Sequence, residues 1–404
     1  MMKKSDAPAI RFKGFSDAWE QRKFEEIAVR SSVICSDDTL PRVEYEDIVS
    51  GTGRLNKDIY AKQSSKSGIA FHQGDVLYGK LRPYLQNWLL PTFDGLAVGD
   101  FWVLQPQNAD SSFLYRLIQS RQFDEVANQS TGTKMPRADW KLVSKTVFSI
   151  PSNISEQAAI GTYFTALDSL ITLHQRKFEK LTNVKKSMLE KMFPQNGSSY
   201  PEIRFKGFTD PWEQRKLASL CEKFTDGDWI ESKDQSDFGV RLVQTGNVGV
   251  AEYLDKPNNK KWISEDTFDR LHCEEVLPGD ILISRLPEPA GRACIVPLLG
   301  TKMITAVDCT IVRTAPDMSN KFLVQYLSSQ AYFDDVNTCL AGGTRQRISR
   351  GNLANFNVPI PVKKSEQDAI GMFFGYLDNL ITLHQRELEK LQNIKKSMLE
   401  KMFV

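Results

Sequence analysis

The sequence has few cysteines, no long apolar run and almost no net charge. Its six cysteines form no Cys-x-x-Cys pair, which argues against a disulfide framework or a cysteine zinc site and favours reduced thiols in a cytoplasm. No stretch of about 18 apolar residues exists, so we expect no transmembrane helix. The first residues, MMKKSDAPAI, lack the apolar core of a signal peptide. The net charge of +2 neither supports nor excludes nucleic-acid binding.

Motifs for catalysis are missing as well. Residues 74–81, GDVLYGKL, fit part of a phosphate-binding loop, but Leu81 stands where a magnesium-binding hydroxyl is needed. No Asn/Asp-Pro-Pro-aromatic segment exists, and no GxGxxG opens a strand–helix–strand unit. His72 and His272 have no metal-ligand spacing. We therefore expect no catalysis by this chain alone and no cofactor or metal bound to it.

Two internal repeats organise the sequence. Residues 11–24, RFKGFSDAWEQRKF, return at 204–217 as RFKGFTDPWEQRKL. Residues 155–193 return at 365–403, where about three quarters of the positions are identical. The segments between the repeats are much less alike. This pattern predicts two variable domains of one fold, each followed by a near-invariant helix.

The repeats also suggest the boundaries of these segments. Between the two copies lies a short stretch, QNGSSYP after Pro194, whose composition breaks helices. The predicted division is, in chain order, a first variable domain at 1–151, a first long helix at 152–193, a linker at 194–203, a second variable domain at 204–361 and a second long helix at 362–404.

Apolar residues in the long repeat recur at alternating steps of four and three, which is typical of a coiled-coil seam. Each helix of about 36 residues would be about 54 Å long and could not bury its apolar stripe alone. We predict an antiparallel coiled coil with pseudo-twofold symmetry, begun by Ser155 and Ser365 as N-caps. His174 and His384 occupy one seam position, where a register-fixing role is favoured over a metal or proton site.

The variable domains are predicted to be mixed α/β, which makes the whole chain α+β. Apolar runs bounded by turn residues predict strands at 239–248, 279–284, 293–298 and 310–315. One short helix is predicted at 113–130, with its counterpart at 321–340.

A basic loop follows this helix in both copies. The second loop carries Arg345, Arg347 and Arg350 without an acid, and these residue types pair with phosphates and base edges. We expect that replacing all three arginines with alanine weakens DNA binding. An ordinary solvated loop is the alternative for each loop taken singly. The predicted DNA-binding residues are Lys80, Arg82, Gln86, Asn87, Lys134, Arg137, Lys141, Arg285, Arg292, Arg345, Gln346, Arg347 and Arg350.

Two variable domains alternating with two near-identical helices resemble the specificity subunits of Type I restriction–modification systems. The RFKGFxDxWEQRKL segments and the SEQxAIGxxFxxLDxLITLHQR helices are similar to members from low-GC Gram-positive bacteria. The resemblance spans essentially the whole chain. It implies that each variable domain is a target-recognition domain that reads one half of a bipartite, asymmetric DNA site.

The resemblance also implies partners. Two methyltransferase subunits, which carry S-adenosylmethionine, would bind the helices, and restriction subunits with motor and nuclease activities would complete the complex. The helices would act as a ruler for the spacer between the half-sites. Two alternatives remain: a fused restriction–modification enzyme with an unrecognised catalytic part, and a coiled-coil adaptor without a role on DNA.

Overall fold

A computed structural model gives the fold of the chain. It describes residues 8–62, 64–129, 135–195, 197–342 and 346–403. The chain forms two compact units, of which the first comprises Met1–Gln175 with Gln385–Val404 and the second comprises Arg176–His384. Each unit thus contains one variable domain and a part of both long helices. Within the described ranges, no helix is long and apolar enough to cross a membrane.

The first unit contains twelve short strands among the described residues and the start of a long helix. In chain order these elements are β1 (Trp19–Lys23), α1 (Phe24–Ile27), β2 (Ala28–Ser31), β3 (Ile34–Cys35), β4 (Arg42–Val43), β5 (Ile48–Val49), β6 (Arg54–Leu55), β7 (Gly68–Phe71), β8 (Val76–Gly79), β9 (Trp88–Leu89), β10 (Gly95–Ala97), β11 (Phe101–Pro106), α2 (Ser111–Leu117), α3 (Arg121–Ala127), α4 (Trp140–Lys145), β12 (Val147–Pro151) and α5 (Ile154–Lys191).

Two four-stranded sheets form most of the first variable domain. One has the order β2-β11-β8-β9 and is antiparallel, and the other has the order β3-β7-β10-β4 with a parallel β10–β4 pair. A separate pair, β1 and β12, sets Trp19 opposite Pro151. The chain therefore enters and leaves the domain side by side, directly before α5.

The second unit repeats much of this order. Its elements are β13 (Glu213–Lys216), β14 (Cys221–Asp226), β15 (Gln235–Ser236), β16 (Val240–Val243), β17 (Lys261–Ile263), α6 (Glu265–Arg270), β18 (Ile281–Ser284), β19 (Ala293–Ile295), β20 (Met303–Thr305), β21 (Cys309–Thr314), α7 (Asn320–Tyr326), α8 (Gln330–Thr338), α9 (Arg350–Asn355), β22 (Asn357–Ile360) and α10 (Lys364–Met402).

The two variable domains share one sheet and differ in the other. The order β14-β21-β18-β19 is equivalent to β2-β11-β8-β9, and β13 pairs with β22 as β1 pairs with β12. The second sheet has the order β15-β17-β16-β20. Here β17 pairs with β16, whereas in the first domain β7 pairs with β10. The two variable domains, whose sequences are much less alike than the helices, therefore differ in the strand order of one sheet.

In the first unit the start of α5 packs against the end of α10. The rings of Phe164 and Phe403 lie 6.3 Å apart, and Lys395 Nζ is 2.7 Å from Asp168 Oδ1. The contacts move back along α10 as they advance along α5, so the helices are antiparallel here. Buried Arg116 of α2 donates to the other oxygen of Asp168 at 2.7 Å. One carboxylate therefore joins the variable domain to both helices.

The second unit has the same arrangement of contacts. The rings of Phe193 and Phe374 lie 6.2 Å apart, and Lys185 Nζ is 2.5 Å from Asp378 Oδ1. Buried Gln325 of α7 donates to Asp378 Oδ2 at 2.8 Å, in the place that an arginine has in the first unit. The helix repeat supplies the same Asp–Lys pair twice, and each variable domain contributes its own third residue.

The repeated RFKGF segment is bound to the start of the long helix. Arg11 donates to buried Glu156 at 2.5 and 2.7 Å, and Trp19 Nε1 donates at 3.4 Å. The bond to Glu156 holds the pKa of Arg11 above its ordinary value. The equivalent contacts of the second unit measure 2.7, 2.8 and 3.3 Å, and they join Arg204 and Trp212 to Glu366. In each unit this buried contact joins the short repeat to the first turn of the long helix.

The predicted N-caps of the long helices were wrong. The first helix begins at Ile154 and the second at Lys364, so Ser155 and Ser365 lie inside the first turn. Asn153 caps the first helix, because its Oδ1 accepts from the Ser155 N–H at 2.8 Å. Serine is a common N-cap residue, and for this reason the cap was predicted two residues too late.

The helix predicted after the central strands is two helices in each domain. A serine interrupts each predicted segment and caps the second helix. Ser120 Oγ accepts from the Phe123 N–H at 3.3 Å, and Ser329 Oγ accepts from the Tyr332 N–H at 3.3 Å. The strand predicted at 239–248 is also shorter, since β16 ends at Val243 and a 3-10 turn follows.

The predicted mixed helix-and-strand class is confirmed. The helices pack antiparallel within each unit, as predicted. The coiled-coil geometry, the pseudo-twofold symmetry and the five segment boundaries stay predictions.

Candidate nucleic-acid interface

In the first unit, two cations meet one carboxylate where β8 ends. We call Lys80, Arg137 and Asp100 the first basic cluster. The Lys80 N–H donates to the Asp100 carbonyl at 2.9 Å, which fixes the two segments side by side. Arg137 donates to Asp100 Oδ2 at 3.0 and 3.2 Å, and Lys80 Nζ lies 3.5 Å from Oδ1. The cluster carries a net charge of +1.

The carboxylate of the first basic cluster stays ionised. Partial burial raises the pKa of Asp100, but the hydrogen bond and charge of Arg137, with the charge of Lys80, lower it below its ordinary value overall. The Arg137 side chain remains 53% exposed. Its unused N–H groups can therefore reach a phosphate while the acid holds the guanidinium in place.

Three further predicted residues of the first unit follow the cluster. Arg82 and Gln86 have left-handed backbone conformations, with φ of 48° and 56°, on either side of a 3-10 turn. Arg82 Nε is buried without a hydrogen-bond partner, and Gln86 hydrogen-bonds to Asp124. Asn87 is 5% exposed and accepts from Ser50 at 3.0 Å. The side chains of Gln86 and Asn87 are therefore already hydrogen-bonded within the protein.

The remaining residues predicted in the first unit are two lysines. Lys141 is exposed in the first turn of α4. Lys134 lies outside the described residues. Both assignments stay predictions.

In the second unit, three arginines surround two carboxylates. We call Arg285, Arg347 and Arg350, with Asp226 and Asp308, the second basic cluster. Arg347 lies 3.7 Å from Asp308, Arg350 lies 3.7 Å from Asp226, and Arg285 lies 3.5 Å from Asp226. The Arg347 and Arg350 side chains are 62% and 46% exposed. These ion pairs are long, so both exposed guanidinium groups retain donors for another anion.

The two basic clusters are equivalent parts of the shared fold. The Arg285 N–H donates to the Asp308 carbonyl at 2.9 Å, as that of Lys80 does to Asp100. The basic loop then bonds to the same segment in each domain. These bonds are Ala138 N–H to the Lys80 carbonyl at 2.9 Å and Ile348 N–H to the Arg285 carbonyl at 3.2 Å.

Two predicted arginines of the second unit have structural partners. Arg285 is buried and donates to the Val307 carbonyl at 2.5 Å. Arg292 donates to four backbone carbonyls at 2.6 to 3.0 Å, those of Thr245, Val248, Leu286 and Pro289. Burial lowers the pKa of Arg292. Their assignment to DNA contact stays a prediction, although the geometry shows both arginines ordering loops.

The other predicted residues lie on the same loop or on the long helices. Gln346 is exposed, and Arg345 lies outside the described residues. His174 and His384 both interact with other groups of the protein. The described residues contain no group of three or more His, Cys, Asp or Glu side chains that could hold a metal ion.

Comparison with known proteins shows which family this chain resembles. Residues 209–393 match the family model of the Type I restriction modification DNA specificity domain. Over most of its length the chain is also similar to Type I restriction–modification specificity subunits. It is similar to the Type I restriction enzyme MjaVIII specificity subunit of Methanocaldococcus jannaschii, with 22% identity over 335 residues, 78% of this chain and 77% of that protein. The EcoDI specificity subunit of Escherichia coli is 25% identical over 185 residues, 43% of this chain and 41% of that protein.

Solved structures share the fold of this chain. The Type I system S subunit from M. genitalium has a TM-score of 0.65 at 13% identity, covering 98% of this chain and 99% of that one. A chain from a study of complex assembly and conformational transition of the type I R-M system has a TM-score of 0.51 at 18% identity, covering 94% and 96%. At these identities the likeness concerns the fold alone.

The cations of both basic clusters were predicted from the sequence, but the acids were not. Asp100 and Asp308 end the matching stretches AVGD and AVD, so a signal for them was present. Asp226 ends β14 and had no counterpart in the first copy. DNA-binding surfaces are positive, so acids are not expected on them. A paired acid can nevertheless hold an arginine side chain in place.

Proposed function

We propose that this chain is a specificity subunit that reads a bipartite, asymmetric DNA site, one half with each basic cluster. The observation that carries the proposal is the equivalence of the two clusters. Two domains of dissimilar sequence present exposed arginine side chains from the same place in the fold. Phosphate contacts from such side chains position a protein on the duplex, and residues around them read the bases. Unlike domains then make the site asymmetric.

The proposal extends to partners and to chemistry. Two methyltransferase subunits would bind the long helices and supply S-adenosylmethionine, and restriction subunits would complete a cytoplasmic complex. The helices would set the spacer between the half-sites. This chain would contribute recognition and no catalysis.

Replacing Arg347 and Arg350 with alanine is expected to weaken DNA binding. Each arginine that contacts a phosphate releases counterions, so its loss reduces the slope of log K against log salt by about one. The double variant should therefore show a slope smaller by up to about two, with the largest loss of affinity at low salt. Fluorescence anisotropy with a labelled duplex at several salt concentrations measures both quantities.

Arg215→Ala is the matched control for this double variant. Arg215 also lies in the second unit and pairs with a carboxylate, Asp317, at 3.5 Å, but it belongs to β13 and not to the second basic cluster. It should bind DNA as the unchanged protein does. Equal salt slopes in all three proteins would reject a phosphate-binding role for the second basic cluster.

The chain alone should transfer no methyl group. Purified protein incubated with duplex DNA and radiolabelled S-adenosylmethionine is expected to leave the DNA unlabelled, whereas addition of the methyltransferase partner should label it. Labelling by the chain alone would favour the fused-enzyme alternative. Sequencing of methylated positions in a host that expresses both proteins then gives the site.

A further inference from the structure

Large apolar side chains are exposed shortly after equivalent strands of the two variable domains. Trp229 follows β14 and is 72% exposed. Val33 and Ile34 follow the equivalent strand, β2, and are 65% and 75% exposed. Single exposed apolar residues are common on proteins. A tryptophan with this exposure is less common, and its surroundings suggest a reason.

Hydrogen bonds hold Trp229 beside the second basic cluster. The backbone carbonyl of Asp228, the residue directly before it, accepts from the N–H of Val307 at 2.9 Å. The Val307 carbonyl in turn accepts from Arg285 Nη2 at 2.5 Å. The next residue in the chain, Asp308, is one of the two carboxylates of the cluster. Trp229 is therefore separated from the exposed arginines by one short hydrogen-bonded segment.

The Trp229 side chain is not part of the hydrophobic core of the domain. Its neighbour Ile230 packs against the buried group that includes Val240, Ile263 and Ile304. Trp229 stays exposed to water, and its indole N–H donates to the Glu231 carboxylate. The indole is thus fixed to the surface by its neighbours while most of its area stays in water.

We propose that Trp229 contacts the apolar surface of duplex DNA, next to phosphates held by Arg347 and Arg350. Thymine methyl groups, deoxyribose and unstacked base steps offer such a surface between the phosphates. This inference rests on the proposed function and adds a residue that touches DNA through apolar contact, which charge patterns do not reveal.

Trp229→Ala, compared with Phe238→Ala, tests the inference. Phe238 is 82% exposed in the same domain, but it lies in the turn between β15 and β16 and takes no part in the second basic cluster. Full-length variants are titrated with a duplex that carries the mapped methylation site, at several salt concentrations. Trp229→Ala should bind about tenfold or more weakly, since buried tryptophans dominate many interfaces. Its salt slope should stay unchanged because an indole displaces no counterions.

The outcomes separate this inference from the proposed function. If the unchanged protein does not distinguish the mapped site from a random duplex, the proposed function and the inference both fail. If it does, and Trp229→Ala binds as tightly or Phe238→Ala loses as much, the inference alone is overturned. A photoreactive p-benzoylphenylalanine at position 229 should crosslink to the duplex and one at position 238 should not. This second measurement does not depend on the folding of the alanine variant.

Discussion

Glu156→Ala should destabilise the first unit by about 3 kcal/mol, the typical cost of removing one partner from a buried ion pair. The Glu156 side chain is 1% exposed and accepts both donors of Arg11 and the indole N–H of Trp19. Its removal leaves an arginine and a tryptophan without their acceptor, and it removes an acid from the first turn of α5. Urea unfolding followed by circular dichroism, with hydrogen exchange to locate the loss, measures the effect.

Glu125→Ala is the control for that substitution. Glu125 pairs with Arg121 at 2.7 Å, but both side chains are exposed to water, so the urea midpoint should not move. A combined change of Arg11→Met and Glu156→Leu should recover part of the stability, because neither partner is then left with an unmet charge. A Glu156→Ala protein as stable as the control would show that the RFKGF segment is not held through this carboxylate.

Gly371→Ala should destabilise the second unit by about 1–3 kcal/mol, the usual range for overpacking. A Cβ at this position of α10 would lie 2.7 Å from the Lys321 Cβ and 2.8 Å from the backbone of Lys321 and Phe322. Backbone atoms cannot move aside as the end of a side chain can, so α7 must shift from the helix. Thermal unfolding of the full chain should show the loss in the transition of this unit.

Gly375→Ala provides the opposite result from the same helix. A Cβ there meets no atom within 4 Å, so the substitution should stabilise α10 by about 0.5–1 kcal/mol through helix propensity. The two variants exchange the same atoms one turn apart. If both lowered or both raised stability, close approach of α7 to α10 would not be the reason for the glycine in the AIG segment.

The basic clusters show how far the sequence could predict the candidate site. Arg137, Arg347 and Arg350 were identified from residue type and loop position, and all three are exposed. Asn87 and Arg292 are also residue types that bind DNA, yet Asn87 is buried and Arg292 is hydrogen-bonded to backbone carbonyls. Arg292 bonds to carbonyls as far as 47 residues away in the chain. Residue type cannot show whether such a donor is already used.

Trp229 illustrates the same limit for apolar side chains. The segment Asp228–Trp229–Ile230 has two large apolar residues in sequence, and either could have faced the core. The structure turns Ile230 inward and leaves Trp229 in water. Asp228 is hydrogen-bonded to the segment at Val307, a partner far away in the chain, so the local sequence could not show which side chain faces the core.

The sequence by itself determined that there are two domains of one fold and two long helices. Repeated segments and apolar periodicity are visible in the order of the residues, so they can be recognised without knowledge of the fold. The tertiary structure alone decided that each unit contains part of both helices, that Asp168 and Asp378 each join a variable domain to that pair, and which cations remain exposed. Those outcomes depend on partners far apart in the chain, and no local pattern encodes them.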